Sequence, residues 1–381
     1  MFEYRKENRY FAQITGSLEL MVKKELMELG ATDIEISRSG CHFCADDRTL
    51  YKIILMAKTP QRILAPLVKF DCFSTKYLGI LCYKDIHWSQ LFSVDETFGI
   101  MSNVKDSIIT NSLYASQVMK DAICHQFILK YERRPDFSIK EAHILFNLHI
   151  DDNKATISLD LTGSSMHKRG YKTQSIKSSI QETIASALFR ETNWDGETKL
   201  LDFMCGSGTF LGEAILNYCQ LPNDLIKENN HLKRLPNFNE KLWNEVKAEI
   251  EKNKKVLPKN MIFGNDISPT AVVATKENLA KLPYGDRVIV ENRNFKDIKF
   301  VKDCTIIINP PYGNTYDDQN TLLEMYKDIG AFFREKCQNC QAFVLAGDPK
   351  LIDAIRIKPE WEKTIRTGPV NSSFAKFVLR G

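Results

Sequence analysis

The stretch LLDFMCGSGTFLGEAI (200–215) sets the fold. An apolar strand-like run ends in Asp202, passes through the turn Gly206-Ser207-Gly208-Thr209, and opens an apolar helix. Glycines let the backbone turn tightly and let a ligand approach the main chain, while the first helical amides point at that ligand. The pattern fits any nucleotide-type cofactor. It places Asp202, Cys205, Gly206, Gly208 and Thr209 at a cofactor site.

Working outward, strand-like runs recur at 199–203, 261–266, 288–292, 304–309, 342–347, 363–367 and 374–379, and helical patterns separate most of them. Such alternation predicts a doubly wound, mainly parallel sheet. The last two runs lie close together and predict a terminal hairpin, which makes one strand antiparallel. Ser268-Pro269 before AVVATKENLAKL is a helix start, with serine as cap and proline in the first turn.

Asp266 closes the run MIFGND, at the carboxyl edge of such a sheet, where a carboxylate can accept from two ribose hydroxyls. Dinucleotide-binding folds carry this acid about 20 residues after their glycines. Here it stands 58 residues beyond Gly208, because a polar insertion at about 218–258 intervenes. That spacing weakens a nicotinamide reading. Asn294, after the next strand, reads either as a partner for a cofactor adenine or as a turn residue.

The apolar run CTIIIN (304–309) leads directly into Asn309-Pro310-Pro311-Tyr312. An exocyclic amine on a nucleobase is a poor nucleophile, because its lone pair is delocalised into the ring. Two acceptors, the Asn309 side-chain carbonyl and the Pro310 main-chain carbonyl, can hold its hydrogens and aim the nitrogen at a methyl donor. Prolines fix the acceptors in advance, and Tyr312 offers a face for stacking. With a sulfonium donor such as S-adenosylmethionine already activated, orientation supplies much of the rate and no metal is needed.

The preceding half alternates short elements: a strand at 10–15, a helix at 18–29, strands at 33–37 and 41–45, and a helix at 49–58. Then come a strand at 97–104, a helix at 116–131 and two strands, 143–150 and 155–163, joined at Asp151-Asp152-Asn153. A polar connector, SSMHKRGYKTQSIK (164–177), follows, and its basic cluster Lys168, Arg169, Lys172 and Lys177 reads, on charge alone, equally as a binding patch or as a solvated linker. The predicted segments are 1–65, 66–163, a linker at 164–180, and 181–381.

Composition is that of a globular protein, with 381 residues, 43% hydrophobic, 26% charged and a net charge of +4. Nothing in it marks a broad basic face. No apolar run is long enough for a membrane span, and MFEYRKENRY lacks the apolar core of a secretion signal, so a cytoplasmic protein is expected. Of the ten cysteines, several in apolar stretches, such as Cys124 and Cys304, then read as small buried hydrophobes. Cys41/Cys44 and Cys337/Cys340 are CxxC pairs far apart in the chain, and Cys41 and Cys44, three apart on a strand, point to opposite faces. No metal site is predicted.

With these residues in hand, the chain resembles the class I amino-methyltransferases, whose DxxxGSGT and NPPY motifs match Asp202–Thr209 and Asn309–Tyr312. The resemblance extends over nearly the whole chain, to RlmL-type THUMP-domain ribosomal RNA guanine-N2 methyltransferases. It rests on GSLELMVKKELMELGA (16–31), YASQVMKDAICHQF (114–127), LDLTGSSMHKRGYK (159–172), IQETIASAL (180–188) and LPNFNEKLWNEV (235–246). It implies an α/β fold: a seven-stranded Rossmann-like methyltransferase domain preceded by an α+β ferredoxin-like and THUMP region. It also implies S-adenosylmethionine as cofactor, RNA as partner, a monomer, and N2-methylation of a guanine in 23S (large-subunit) ribosomal RNA, swung into the pocket while the THUMP domain holds the RNA. Lys168, Arg169 and Tyr171 would bind substrate between the domains, by phosphate contact and stacking.

Departures exist. Asn294 stands where the family often has an acid, and Ser175 where it usually has proline ahead of the lead-in helix. The chain stops at Gly381, so the second methyltransferase domain of some relatives is expected to be absent. The motif serves guanine and adenine amines alike, which leaves a transfer-RNA guanine or adenine N6 in DNA as alternative substrates. A catalytically inert ribosome-assembly or RNA-binding protein is the non-enzymatic alternative.

Overall fold

The computed structural model describes residues 2–176, 179–226, 231–312, 319–366 and 371–380. Lys177, the last residue of the run 363–367 and Gly381 lie outside them. The chain divides into two compact units. The first comprises Met1–Gln13, Lys23–Met166 and Glu228–Ala248; the second comprises Ile14–Val22, His167–Lys227 and Glu249–Gly381.

The first unit is built on one seven-stranded sheet. Its strands, in spatial order, are Thr32–Ser37, Gly40–Cys44, Arg9–Gln13, Arg62–Asp71, Lys154–Asp160, Ile144–Asp151 and Phe98–Lys105. All neighbours are antiparallel except the last two, which run parallel. The strand Arg62–Asp71 was not anticipated. It pairs with Arg9–Gln13 on one side and Lys154–Asp160 on the other, so residue 65, an expected boundary, falls inside a shared strand. A register shift beside Pro66 breaks the alternation that would have revealed it, since proline cannot donate to the ladder.

Part of the insertion folds with this unit rather than with its neighbours in sequence. Leu232 and Trp243 are buried, and the Trp243 ring meets Tyr51 edge-on at 5.6 Å. The Asn239 N–H donates to Tyr51 Oη at 2.8 Å, and Asn237 Nδ2 donates to Asp47 Oδ1 at 3.0 Å. Conversely, residues 14–22 group with the second unit, where the Arg366 N–H donates to Ser17 Oγ at 3.1 Å.

The second unit carries the expected sheet. Its strands are β1 (Lys199–Asp202), β2 (Ile262–Asp266), β3 (Ile289–Asn292), β4 (Cys304–Ile308), β5 (Cys340–Ala346), β6 (Trp361–Arg366) and β7 (Asn371–Leu379). The order is β3-β2-β1-β4-β5-β7-β6. β3 to β5 pair in parallel, and β7 runs antiparallel to both β5 and β6, as the terminal hairpin predicted. The helices that matter below are α1 (Glu182–Glu191), α2 (Thr209–Tyr218), α3 (Pro269–Leu279) and α4 (Gln319–Lys336). β4 is buried along its whole length, which is why it reads as a mostly apolar run without alternation. The strand order reverses between β1 and β4, and a crevice opens at such a switch point beyond the carboxyl ends.

Candidate active site

β1 delivers Asp202 to the sheet edge, and the chain then turns through Phe203–Gly208 into α2. Gly208 caps α2 with φ of 79°, a left-handed conformation that L side chains rarely adopt. A Cβ there would also lie 2.8 Å from Thr275 Cγ2 of α3. The turn is closed by the Gly208 N–H donating to the Cys205 carbonyl at 2.7 Å.

β2 ends at Asp266, whose carboxylate braces the glycine turn. One oxygen accepts from the Gly206 N–H and the other from the Ser268 N–H, both at 2.9 Å. Ser268 caps α3, with Pro269 in the first turn, as the sequence predicted. Each carboxylate oxygen keeps a second lone pair, so the acid is still able to accept from a diol.

These elements enclose a cavity of ≈ 650 Å³, within the range of small-molecule sites. Asp202, Cys205, Gly206, Thr209, Asp266, Asn294, Asn309 and Pro311 line it. The glycine turn, the β2 acid and the start of the NPPY tetrapeptide therefore face one space, although about 100 residues of sequence separate the first from the last. The exposed Ile267, the half-buried Met325 and the buried Phe295 give the cavity apolar walls.

Its electrostatics follow from burial. Asp202 is 2% exposed and accepts the Met204 N–H at 3.2 Å. Burial, with the nearby charge of Asp266, holds its carboxyl well above the usual range. Burial also raises Asp266, against the pull of its two amide donors. Cys205 is a buried thiol pushed up by burial and by the two aspartates, an inert rather than a nucleophilic sulfur.

Other expected residues sit differently. Gly208, Pro310 and Tyr312 are not among the residues lining the cavity: Gly208 faces α3, and Pro310 is buried. Tyr312 is half-buried and leans on the backbone of Gly347 just beyond β5, so closely that a Cβ on Gly347 would lie 2.5 Å from Tyr312 Cδ2. Asn294 lines the cavity, and its Oδ1 accepts the Lys296 N–H at 3.0 Å to cap a 3-10 turn, which is the turn role read from the sequence.

The connector requires a correction. Arg169 and Tyr171 were expected to meet substrate, yet both are buried inside the second unit. Arg169 Nε donates to Glu213 Oε1 of α2 at 2.8 Å, and Tyr171 Oη donates to the same oxygen at 3.0 Å. A buried guanidinium needs a carboxylate partner, and Glu213 supplies it. Lys168 is exposed.

Sequence reasoning missed several residues. Ile176 and Ser179 of the connector line the cavity, as do Thr321, Glu324 and Asp328 of α4. Only the three-dimensional path of the connector brings Ile176 and Ser179 there; α4 carried a weak signal, in that its helix directly follows the NPPY strand. Among the described residues, no group of three or more His, Cys, Asp or Glu could hold a metal ion, and no helix is long and apolar enough to cross a membrane.

Comparison with known proteins matches three family descriptions in succession. An RlmL ferredoxin-like domain matches residues 9–64, a THUMP domain 82–160, and an RMKL-like methyltransferase domain 169–372. A Synechocystis sp. protein described as "Putative RNA methyltransferase slr0064" is 29% identical over 371 residues, covering 97% of this chain and 96% of the relative. Among solved structures, "SMU.472, a putative methyltransferase complexed with SAH" superposes with a TM-score of 0.85 at 21% identity, covering 98% of both chains. A possible methylase from Clostridium difficile 630 does so at 0.83 and 22%, again over 98% of both. At these identities the two structures speak to the fold.

Proposed function

This chain belongs to the RMKL-like methyltransferase family, with an RlmL ferredoxin-like domain and a THUMP domain ahead of the methyltransferase domain, and from that premise we propose that it methylates N2 of a guanine in large-subunit ribosomal RNA, using S-adenosylmethionine. The observation that carries this reading is the shared cavity: the glycine turn and Asp266 on one side, Asn309 and Pro311 on the other. The donor set suits this cofactor. Asp266 accepts a ribose diol, the turn at Gly206 and Thr209 admits a ligand against the main chain, and Ile267 with Phe295 covers a flat adenine. When bound, the cofactor supplies an electrophilic methyl group on a sulfonium.

The chain's residues then do the positioning. The Asn309 side-chain carbonyl and the Pro310 main-chain carbonyl accept the two hydrogens of the guanine amine. This raises electron density on nitrogen and fixes its direction of attack. Tyr312, held against Gly347, limits where the base ring settles. The amine proton is lost to water after transfer, since a methylated ammonium next to the ring is strongly acidic and needs no dedicated base.

RNA as substrate is supported by the THUMP domain and by the description of the Synechocystis relative. On this reading residues 1–65 are the ferredoxin-like module, 66–163 the RNA-holding THUMP domain, 164–180 the basic linker and 181–381 the methyltransferase domain. Lys168 contacts phosphate, and the protein works as a cytoplasmic monomer. The test is to map methylated nucleotides in ribosomal and transfer RNA from cells with and without the protein. One N2-methylguanine missing from large-subunit RNA is the expected result. A missing mark on transfer RNA, or on DNA adenine, overturns the substrate assignment, and no missing mark overturns the enzyme.

A further inference from the structure

Asn278, on α3, is fully buried and uses every hydrogen-bonding position its amide has. Its Oδ1 accepts from the Thr173 and Gln174 N–H groups, both at 3.0 Å. Its Nδ2 donates to the Gln174 carbonyl at 2.8 Å and to the Ser207 carbonyl at 2.9 Å. One side chain therefore ties the connector to the glycine turn. Neighbouring contacts repeat the tie: Ser179 Oγ lies 2.7 Å from Ser207 Oγ and accepts the Ile176 N–H at 3.1 Å. Thr275, one turn earlier on α3, donates to the Gly206 carbonyl at 2.8 Å.

Carbonyls 206 and 207 are thus both turned toward α3. Peptide planarity then points the N–H groups that follow them the other way. The orientation of the glycine turn is set by α3, and its distance from the connector by Asn278. Ile176 and Ser179 line the same cavity as Gly206, and a Cβ on Gly206 would lie 3.1 Å from Ile176 Cδ1. The connector is a wall of the cavity, and Asn278 holds that wall in place.

We propose that Asn278 is a positioning residue that locks the connector to the glycine turn, so that cofactor affinity and the seating of Thr173 and Gln174 depend on each other. The inference rests on the methyltransferase reading above for the identity of the ligand. By linkage, whatever the lock contributes to binding, binding returns to the lock in the same proportion.

The test uses the full chain, with S-adenosylhomocysteine as the binding probe and residue-resolved amide hydrogen exchange as the structural probe. Asn278→Asp keeps the size and both accepted amides but sets an oxygen against the carbonyls of Gln174 and Ser207. Both donated hydrogen bonds are lost and both carbonyls are repelled, which is expected to weaken binding at least about tenfold. The KM for S-adenosylmethionine should rise similarly, while kcat at saturating cofactor stays within about twofold. In the wild-type protein, S-adenosylhomocysteine should slow exchange at Thr173 and Gln174. A folded Asn278→Asp variant with unchanged affinity overturns the lock, as does a matched loss in kcat without a change in KM. Should that variant not fold, wild-type exchange decides: no slowing at Thr173 and Gln174 with bound ligand overturns it. Wild-type protein that takes up no S-adenosylhomocysteine refutes the methyltransferase reading itself, and this inference with it, a result distinct from binding that ignores Asn278.

Discussion

Replacing Arg169 by alanine separates a structural arginine from an RNA-binding one. Its side chain is 3% exposed and that of Glu213 fully buried, with Nε and Oε1 2.8 Å apart. Tyr171 Oη donates to the same oxygen, so truncating Arg169 leaves a buried carboxylate held by one neutral hydroxyl. Breaking a buried pair from one side costs about 3–5 kcal/mol, because the remaining charge loses its compensation. In a unit of roughly 200 residues each kcal/mol moves the melting temperature by about 2–4 °C. Arg169→Ala is therefore expected to melt about 6–20 °C lower in a thermal unfolding scan. Arg169→Met with Glu213→Gln removes both charges at similar volume and should recover most of that loss. Lys168→Ala, next door but exposed, should leave the melting temperature within about 1–2 °C, as surface substitutions do, and lower the salt slope of RNA binding by about one ion. An Arg169→Ala protein that melts like wild type while losing RNA affinity would show instead that Arg169 serves RNA and not the buried pair.

Asn309→Ala should lower kcat by about 10²–10³, as loss of a transition-state acceptor does, with S-adenosylhomocysteine affinity near wild type; Asp266→Ala should weaken that affinity first, and calorimetry beside turnover separates the two. Gly347→Ala places a Cβ where the Tyr312 ring now lies, so turnover should fall while cofactor binding holds; wild-type turnover would show that the ring position is immaterial. His42 packs on Phe11, and burial, helped by Lys69 and Arg9, pushes its imidazole from 6.5 down to about 4. Between those values the unfolded chain binds a proton that the folded chain refuses, so stability should fall as pH drops from about 6.5 toward 4. His42→Phe should flatten that part of the stability curve in denaturant titrations. Deleting residues 1–165 removes Tyr51 and Asp47 from beneath 232–243, so the fragment should aggregate on size exclusion unless 228–248 is also replaced by a short polar loop.

Much of the second unit was legible because its signals are contiguous. The run CTIIIN is mostly apolar because β4 is buried along its whole length. Ser268-Pro269 announces α3 through its own cap. The glycine turn, Asp266 and Asn309 each mark a strand end, and in a parallel sheet all strand ends share one edge. In the first unit the strand at 62–71 escaped, since Pro66 and the register shift beside it disrupt the local alternation.

Patterns a few residues long thus specified the strands of the second unit, the parallel sense of most of them, and the edge on which the chemistry gathers. Only the tertiary structure decided that Arg169 and Tyr171 face Glu213 rather than a ligand, that Asn278 joins the connector to the glycine turn, and that 228–248 folds with the first unit. The physical reason is the same for all three. A polar side chain is the same residue type whether it meets water, RNA or a buried partner, and for these residues the deciding partners lie far along the chain, so burial is settled by proximity in space that local spacing does not encode.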